Sequence, residues 1–149
     1  MRFTRWFLAL LAITTGSSAL AGGHAIGTDV VRILDENQIV GESLNLFYQH
    51  PLARNSAAVF GVARDGDKNM MLEAAFKAYS GAAFSSVYYQ VGGNLFDYND
   101  ESELGVHAAI GYERSPARNF VFFGTVKVMV LPDSDYTQFS PMLGAMFVF

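Results

Sequence analysis

Apolar and polar side chains alternate along much of this chain, and the alternation limits the folds that it can adopt. In "SELGVHAAIGYE", residues 102–113, every second side chain from Leu104 to Tyr112 is apolar, and the residues between them are small or charged. Successive side chains of a β-strand point to opposite faces, so the pattern predicts a strand with one continuous apolar face. In a helix the same charges would be scattered around the cylinder.

Three further segments alternate in the same way, at 69–79, 119–131 and 136–149. Clusters rich in Gly, Pro, Asn and Asp, which supply turn conformations, separate the alternating segments. The clusters occupy residues 35–37, 50–55, 65–68, 80–83, 97–102, 114–118 and 132–135. They divide the chain into eight predicted strands, at 28–34, 38–49, 56–64, 69–79, 84–96, 102–113, 119–131 and 136–149. We therefore predict an all-β fold, a single up-and-down antiparallel barrel of about eight strands.

The predicted turns alternate in charge. The odd-numbered clusters are acidic and lack arginine, whereas the second and the sixth, "HPLARN" and "RSPAR", are basic. In an up-and-down barrel, odd turns lie at one end and even turns at the other. The sequence thus predicts one acidic end and one mildly basic end.

Composition excludes several classes of function. The chain has 14 Asp and Glu against 10 Lys and Arg, for a net charge of -4, and it contains no cysteine. An acidic chain without a basic cluster has no electrostatic surface for phosphate backbones, so we expect no nucleic-acid partner. Without cysteine there are no disulfides, thiolate nucleophiles or cysteine zinc sites. Calcium-loop spacing is also absent, and we predict no cofactor and no metal-ligating side chains.

The first 21 residues have the three regions of a secretory signal peptide. Arg2 and Arg5 precede the apolar stretch "WFLALLAI", and Ala19-Leu20-Ala21 forms a small-residue cleavage pattern. The apolar stretch is too short to span a bilayer as a helix. A buried N-terminal helix of a cytoplasmic protein is the alternative, which the order of the three regions disfavours. We expect cleavage after Ala21, leaving 22–149 as one barrel domain.

The two faces of the predicted strands indicate which side of the barrel meets water. A soluble barrel needs an outer face rich in charged residues, but here the polar face is sparse and its other residues are mostly small or aromatic. Its charged residues are Arg32, Glu73, Lys77, Glu103, His107, Glu113 and Lys127. The opposite face is large and apolar, on strands of about ten residues, the length that crosses a bilayer when tilted. We therefore expect the apolar face to meet lipid and the protein to lie in the outer membrane of a Gram-negative bacterium.

A signal peptide, eight strands and a terminal "MFVF" resemble the small outer-membrane β-barrels of the OmpA/OmpX type, over essentially all of 22–149. In that family a C-terminal aromatic residue backed by alternate apolar residues is recognised by the barrel-assembly machinery. The matching residues here are Leu143, Ala145, Phe147 and Phe149. The resemblance implies a monomer surrounded by outer-membrane lipid. It also implies that both termini and the even-numbered turns lie in the periplasm, and that the odd-numbered turns lie outside the cell. The short turns disfavour adhesion through long loops.

Charged side chains on the inner face are the candidate functional residues. They are Glu73, Lys77, Glu103, His107 and Lys127. An eight-stranded barrel is only wide enough for its own side chains, so we expect an interior plugged by a salt-bridge network. A proton or ion pathway is the alternative, and a network without a pore predicts negligible conductance.

We predict no enzymatic activity and a role in envelope structure or interactions. A lipid-modifying enzyme would need a Ser–His pair, for which His24, His50 and His107 are the available histidines. A soluble periplasmic lipocalin-like ligand-binding barrel is the second alternative. Aromatic residues near predicted strand ends, namely Tyr79, Tyr112, Tyr136 and Phe139, are expected to form an interfacial belt.

Overall fold

The computed structural model of the protein describes residues 23–34, 44–66, 69–98 and 101–149. These residues form eight strands and one short helix. In chain order they are β1 (Ala25–Asp29), α1 (Val30–Leu34), β2 (Leu44–Ala53), β3 (Ser56–Arg64), β4 (Met70–Tyr79), β5 (Val87–Tyr98), β6 (Glu101–Ala117), β7 (Phe120–Leu131) and β8 (Tyr136–Val148).

Each strand pairs antiparallel with its neighbours in the chain, and the sheet closes on itself. Closure comes from β1 and β8, which pair from Ala25 opposite Val148 to Asp29 opposite Gly144. The predicted all-β, up-and-down, eight-stranded barrel is therefore confirmed. A closed sheet has no edge strand with unpaired backbone groups.

The predicted first strand, 28–34, is wrong. The strand begins earlier and ends at Asp29, and residues 30–34 form one helical turn. Asp29 begins that turn, since its Oδ1 accepts a hydrogen bond of 3.0 Å from the amide of Val31, the geometry of a helix cap. No helix among the described residues is long and apolar enough to cross a membrane.

Two turns are shorter than predicted, because the strand that precedes each of them continues past its proline. Within the predicted turn 50–55, β2 continues to Ala53 with its register shifted after Pro51. Within the predicted turn 114–118, β6 continues to Ala117 with a register shift after Arg114. A bulge tolerates a proline that cannot donate to the ladder. The predicted turn 35–37 and residues 38–43 of the second predicted strand lie outside the described residues.

The two ends of the barrel are defined by their described turns. The end that we call the acidic end contains residues 65–66, 69 and 132–135. The opposite end, which we call the terminal end, contains residues 23–24, 54–55, 80–86, 118–119 and 149. At the terminal end Phe84 adopts a φ of 65° and is buried. A non-glycine residue tolerates this left-handed backbone when its surroundings hold it there, and Phe84 packs into the barrel end.

The outer surface of the strands is apolar, and the interior contains polar and charged side chains as well as apolar ones. Large apolar residues cover the outer surface of the strands, including Leu46, Phe76, Val91, Leu104, Val106, Ile110, Phe122, Val126, Phe139, Leu143 and Phe147. Polar and charged residues are buried inside, including Gln49, Lys77, Gln90, Asn94, His107, Glu113, Thr125, Lys127 and Ser140. The alternation of the sequence thus puts its apolar set outside.

Candidate functional site: the polar interior

The charged residues Glu73, Lys77, His107 and Lys127 lie between two clusters of buried apolar side chains, which we call layers. The layer toward the acidic end, here the outer layer, consists of Ala63, Met71, Phe96, Met129 and Leu131. The layer toward the terminal end, here the terminal layer, contains Ala25, Phe84, Val121, Phe123 and Met146. Any continuous path along the barrel axis would have to pass both layers.

Four side chains near the terminal layer form a closed ring of hydrogen bonds. Lys77 Nζ lies 2.7 Å from Glu113 Oε1 and donates to Gln49 Oε1 at 2.9 Å. Gln49 Nε2 donates to the Tyr79 hydroxyl at 2.6 Å, and that hydroxyl donates to Glu113 Oε2 at 2.8 Å. The ammonium of Lys77 also lies 4.2 Å from the centre of the Tyr88 ring, a favourable cation–π position. The buried lysine is thus surrounded by matched partners, which offset its desolvation.

A second cluster, centred on Glu73, lies nearer the outer layer. Lys127 Nζ is 2.6 Å from Glu73 Oε2, and His107 Nε2 is 3.4 Å from Glu73 Oε1. Gln90 Nε2 donates to Glu73 Oε1 at 2.9 Å. The carboxylate therefore joins strands β4, β5, β6 and β7 across the interior.

Glycines on β5 and β6 make room for the large interior side chains. A Cβ atom at Gly92 would overlap the carbonyl oxygen of Ala74 and the ring of His107. A Cβ atom at Gly111 would overlap Tyr88 and Thr125, whose hydroxyl groups are hydrogen-bonded to each other. Glycine in a strand interior often marks a close approach of this kind.

The structure brings together four of the five predicted interior residues. Glu73, Lys77, His107 and Lys127 meet in the polar centre. Glu103 does not join them, because it lies opposite Phe96 of the outer layer. Its Oε1 instead accepts hydrogen bonds of 2.8 Å and 2.9 Å from the amide and hydroxyl of Ser134.

Some members of the interior network were not predicted. Glu113 lies on the same alternating face as His107, but its role as the partner of Lys77 was not among the predictions. The expectation that Tyr79 belongs to an interfacial belt is wrong, because this side chain is buried and bonded to Glu113. Tyr112 and Phe139 are exposed, and Tyr136 borders an open cavity at the acidic end.

The space left in the polar centre is small. The cavity between Glu73, Lys77, Gln90 and Lys127 has a volume of about 40 Å³. That is room for a few water molecules at most. A larger depression of about 900 Å³, bordered by Glu101, Glu103, Asp133 and Tyr136, opens at the acidic end. Phe96 and Leu131 of the outer layer line its floor.

The two other histidines lie at the terminal end, near the last residue. His24 Nδ1 is 2.5 Å from the hydroxyl of Tyr48, which is 3.4 Å from His50 Nδ1. The ring of His24 also stacks on that of Phe149, with centres 6.1 Å apart. We call His24, Tyr48, His50 and Phe149 the rim cluster. Within the described ranges, no group of three or more His, Cys, Asp or Glu residues is arranged to hold a metal ion.

These features define a closed eight-stranded β-barrel with an apolar outer face and a buried, internally paired polar core. Comparison with known proteins adds no family to this class. No protein-family model matches the chain, and neither a curated protein nor a solved structure matches it.

Proposed function

We propose that this protein is an outer-membrane β-barrel of a Gram-negative bacterium, with its strands crossing the bilayer and its interior plugged by side chains. Its role is in envelope structure or interactions rather than catalysis. The observation that carries the proposal is the continuous apolar outer surface on a closed barrel whose ion pairs are internal.

The outer surface is unfavourable in water and suited to lipid. Leu104, Val106 and Phe139 are 69%, 57% and 70% exposed, and they belong to an apolar surface that extends over several strands. Exposed apolar area costs about 25 cal/mol per Å² in water, and soluble monomers rarely expose large contiguous patches. In hydrocarbon the apolar surface does not carry this free-energy cost, and closure of the sheet provides hydrogen-bond partners for the backbone N–H and C=O groups.

The N-terminal and C-terminal segments of the sequence support export and assembly in the outer membrane. Residues 1–21 carry the pattern of a cleaved signal peptide, so the mature chain would begin at Gly22. We propose an OmpA/OmpX-type topology, with the terminal end in the periplasm and the acidic end outside. Leu143, Ala145, Phe147 and Phe149 would serve as the signal for the barrel-assembly machinery, after which the protein remains a monomer surrounded by outer-membrane lipid.

A plugged interior accounts for the two apolar layers and the small central cavity. Ligand pockets occupy roughly 300–1,000 Å³, so the central space of about 40 Å³ is too small to hold a ligand inside the barrel as a lipocalin-like carrier does. The depression of about 900 Å³ lies at the acidic end, is open to solvent, and is bordered by Phe96 and Leu131 of the outer layer. The same closure predicts negligible conductance in planar bilayers. Reproducible single-channel openings of the purified protein would contradict a plugged barrel and favour an ion pathway.

Membrane fractionation tests the proposal directly. The chain should sediment with the outer membrane, require detergent for extraction, and change its gel mobility when boiled. Release by osmotic shock as a soluble species would overturn the proposal. Lipid A should have the same mass spectrum with and without overproduction of the protein, whereas a new acylation state would indicate a lipid-modifying enzyme.

A further inference from the structure

The rim cluster places two imidazole rings side by side on the outer surface at the terminal end. His24 directly precedes β1, and His50 lies on β2, with Ala25 and Gln49 as register partners. The centres of the two rings are 5.0 Å apart. Both Nδ1 atoms face the hydroxyl of Tyr48, so three donor atoms converge on one small region.

Two histidines alone are a weak metal site, but His24 has further donors in its own backbone. In the mature chain proposed above, Gly22 and Gly23 precede His24, which is then the third residue. A free α-amino group, the next two amide nitrogens and the Nδ1 of a third-position histidine can enclose one ion in fused chelate rings. The resulting four-nitrogen square plane is the geometry that Cu²⁺ and Ni²⁺ prefer.

One described contact of His24 is compatible with that chelate and one must change, and Gly22 lies outside the described residues. The hydrogen bond of 2.9 Å between His24 and Phe149 uses the carbonyl oxygen of His24, not its amide nitrogen. Its Nδ1, the atom that the chelate requires, lies 2.5 Å from the hydroxyl of Tyr48, so binding of the ion replaces this hydrogen bond. His50 is the adjacent imidazole from which an additional nitrogen could approach the ion from outside the plane.

We infer that the mature chain binds one Cu²⁺ or Ni²⁺ ion through its α-amino group, the amide nitrogens of Gly23 and His24, and His24 Nδ1, with His50 as an additional ligand. The inference rests on the proposed export and cleavage after Ala21. Binding displaces the protons of the two amides, so affinity rises with pH.

The test uses the full-length gene, expressed and exported, with the mature barrel purified in detergent. Its N-terminus is established by protein sequencing, and the protein is titrated with copper sulfate. We expect stoichiometric binding with the electron paramagnetic resonance spectrum of four equatorial nitrogens. His24→Ala should abolish this spectrum.

An alanine inserted between Gly22 and Gly23 provides the matched control. It keeps the residues around the cleavage site and every residue from Gly23 onward, but moves His24 to the fourth position. The insertion should remove the four-nitrogen spectrum while leaving the barrel folded. His50→Ala should keep four equatorial nitrogens but lower copper affinity by about tenfold, as loss of a supporting partner does in other metal sites.

The outcomes separate this inference from the proposed function. A mature chain that begins at Gly22 and gives no four-nitrogen spectrum overturns the copper site but leaves the membrane proposal standing. Equal binding by the insertion variant, or an N-terminus other than Gly22, also overturns the site. A chain that binds copper but fractionates as a soluble protein supports the site and rejects the membrane function.

Discussion

Lys77 on β4 and Glu113 on β6 form an ion pair of 2.7 Å across the barrel interior, with side chains 4% and 0% exposed. Strand β5 lies between their two strands. Burial of an isolated charge is expensive, so each member of the pair depends on the other and on further hydrogen bonds. Lys77 donates to Gln49, and Glu113 accepts from the hydroxyl of Tyr79.

Glu113→Gln should therefore destabilise the barrel strongly. It leaves the Lys77 ammonium buried without its carboxylate, and loss of one partner from a buried pair costs roughly 3–5 kcal/mol. Lys77→Met should have a similar effect, and the double variant should recover much of the loss. The measurement is urea unfolding in detergent micelles, followed by circular dichroism and by the heat-dependent change in gel mobility.

Glu101→Gln is the control, because Glu101 is an exposed carboxylate at the acidic end. Its effect on the free energy of unfolding should stay within about 0.5 kcal/mol. Additive effects of the two single substitutions in the double variant would show that Lys77 and Glu113 are not coupled, which contradicts an energetically important ion pair in the interior.

Gly92→Ala should destabilise the barrel, whereas Gly93→Ala should not. A methyl group at Gly92 would overlap the Ala74 carbonyl and the ring of His107, but at Gly93 the nearest heavy atom is 3.6 Å away. Overpacking typically costs about 1–3 kcal/mol, while alanine at an open strand position removes the entropic cost of glycine. Paired unfolding curves under the same conditions measure the difference, and equal stabilities would contradict the interior packing of β5.

The alternation of the sequence was sufficient to predict the barrel, because successive side chains of each strand point to opposite faces of the sheet. Strand β3 has the predicted bounds, 56–64. The prediction of the first strand is wrong for a local reason. The side chain of Asp29 caps a helical turn, and alternation alone cannot distinguish this apolar segment from a strand. Turn chemistry predicts Pro51 and Pro116 in turns, although bulges accommodate them inside β2 and β6.

Partners inside the barrel were harder to predict than the faces. Alternation assigned Lys77 and Glu113 to the same interior, but their contact depends on the registers of β4 with β5 and of β5 with β6. Each register step moves a side chain by several ångströms along the barrel axis. The same dependence separates Glu103 from the polar centre, since its register partner Phe96 belongs to the outer layer.

Phe149→Ala should reduce the amount of assembled barrel in the outer membrane with little effect on stability once folded. The ring is 64% exposed, so its removal loses little packing, but the proposed assembly signal ends there. Phe139→Ala is the matched control, because it removes a 70% exposed aromatic from the outer face of β8, the strand that directly precedes Phe149. Quantifying the heat-modifiable species in envelopes measures assembly, and refolding in detergent measures stability. Equal accumulation of both variants would count against a signal at Phe149.

Val91→Arg distinguishes a lipid-facing surface from a water-facing one. Val91 is 57% exposed near the middle of β5, and Val87 is 36% exposed at the end of the same strand. In a bilayer, arginine should cost about 2–4 kcal/mol at the midplane and about 0–1 kcal/mol near the interface, so Val91→Arg should be more destabilising than Val87→Arg. Urea titrations of the two variants in phospholipid vesicles measure this difference. In a water-soluble barrel both exposed positions would accept arginine, so two near-neutral substitutions would remove the strongest support for the membrane proposal.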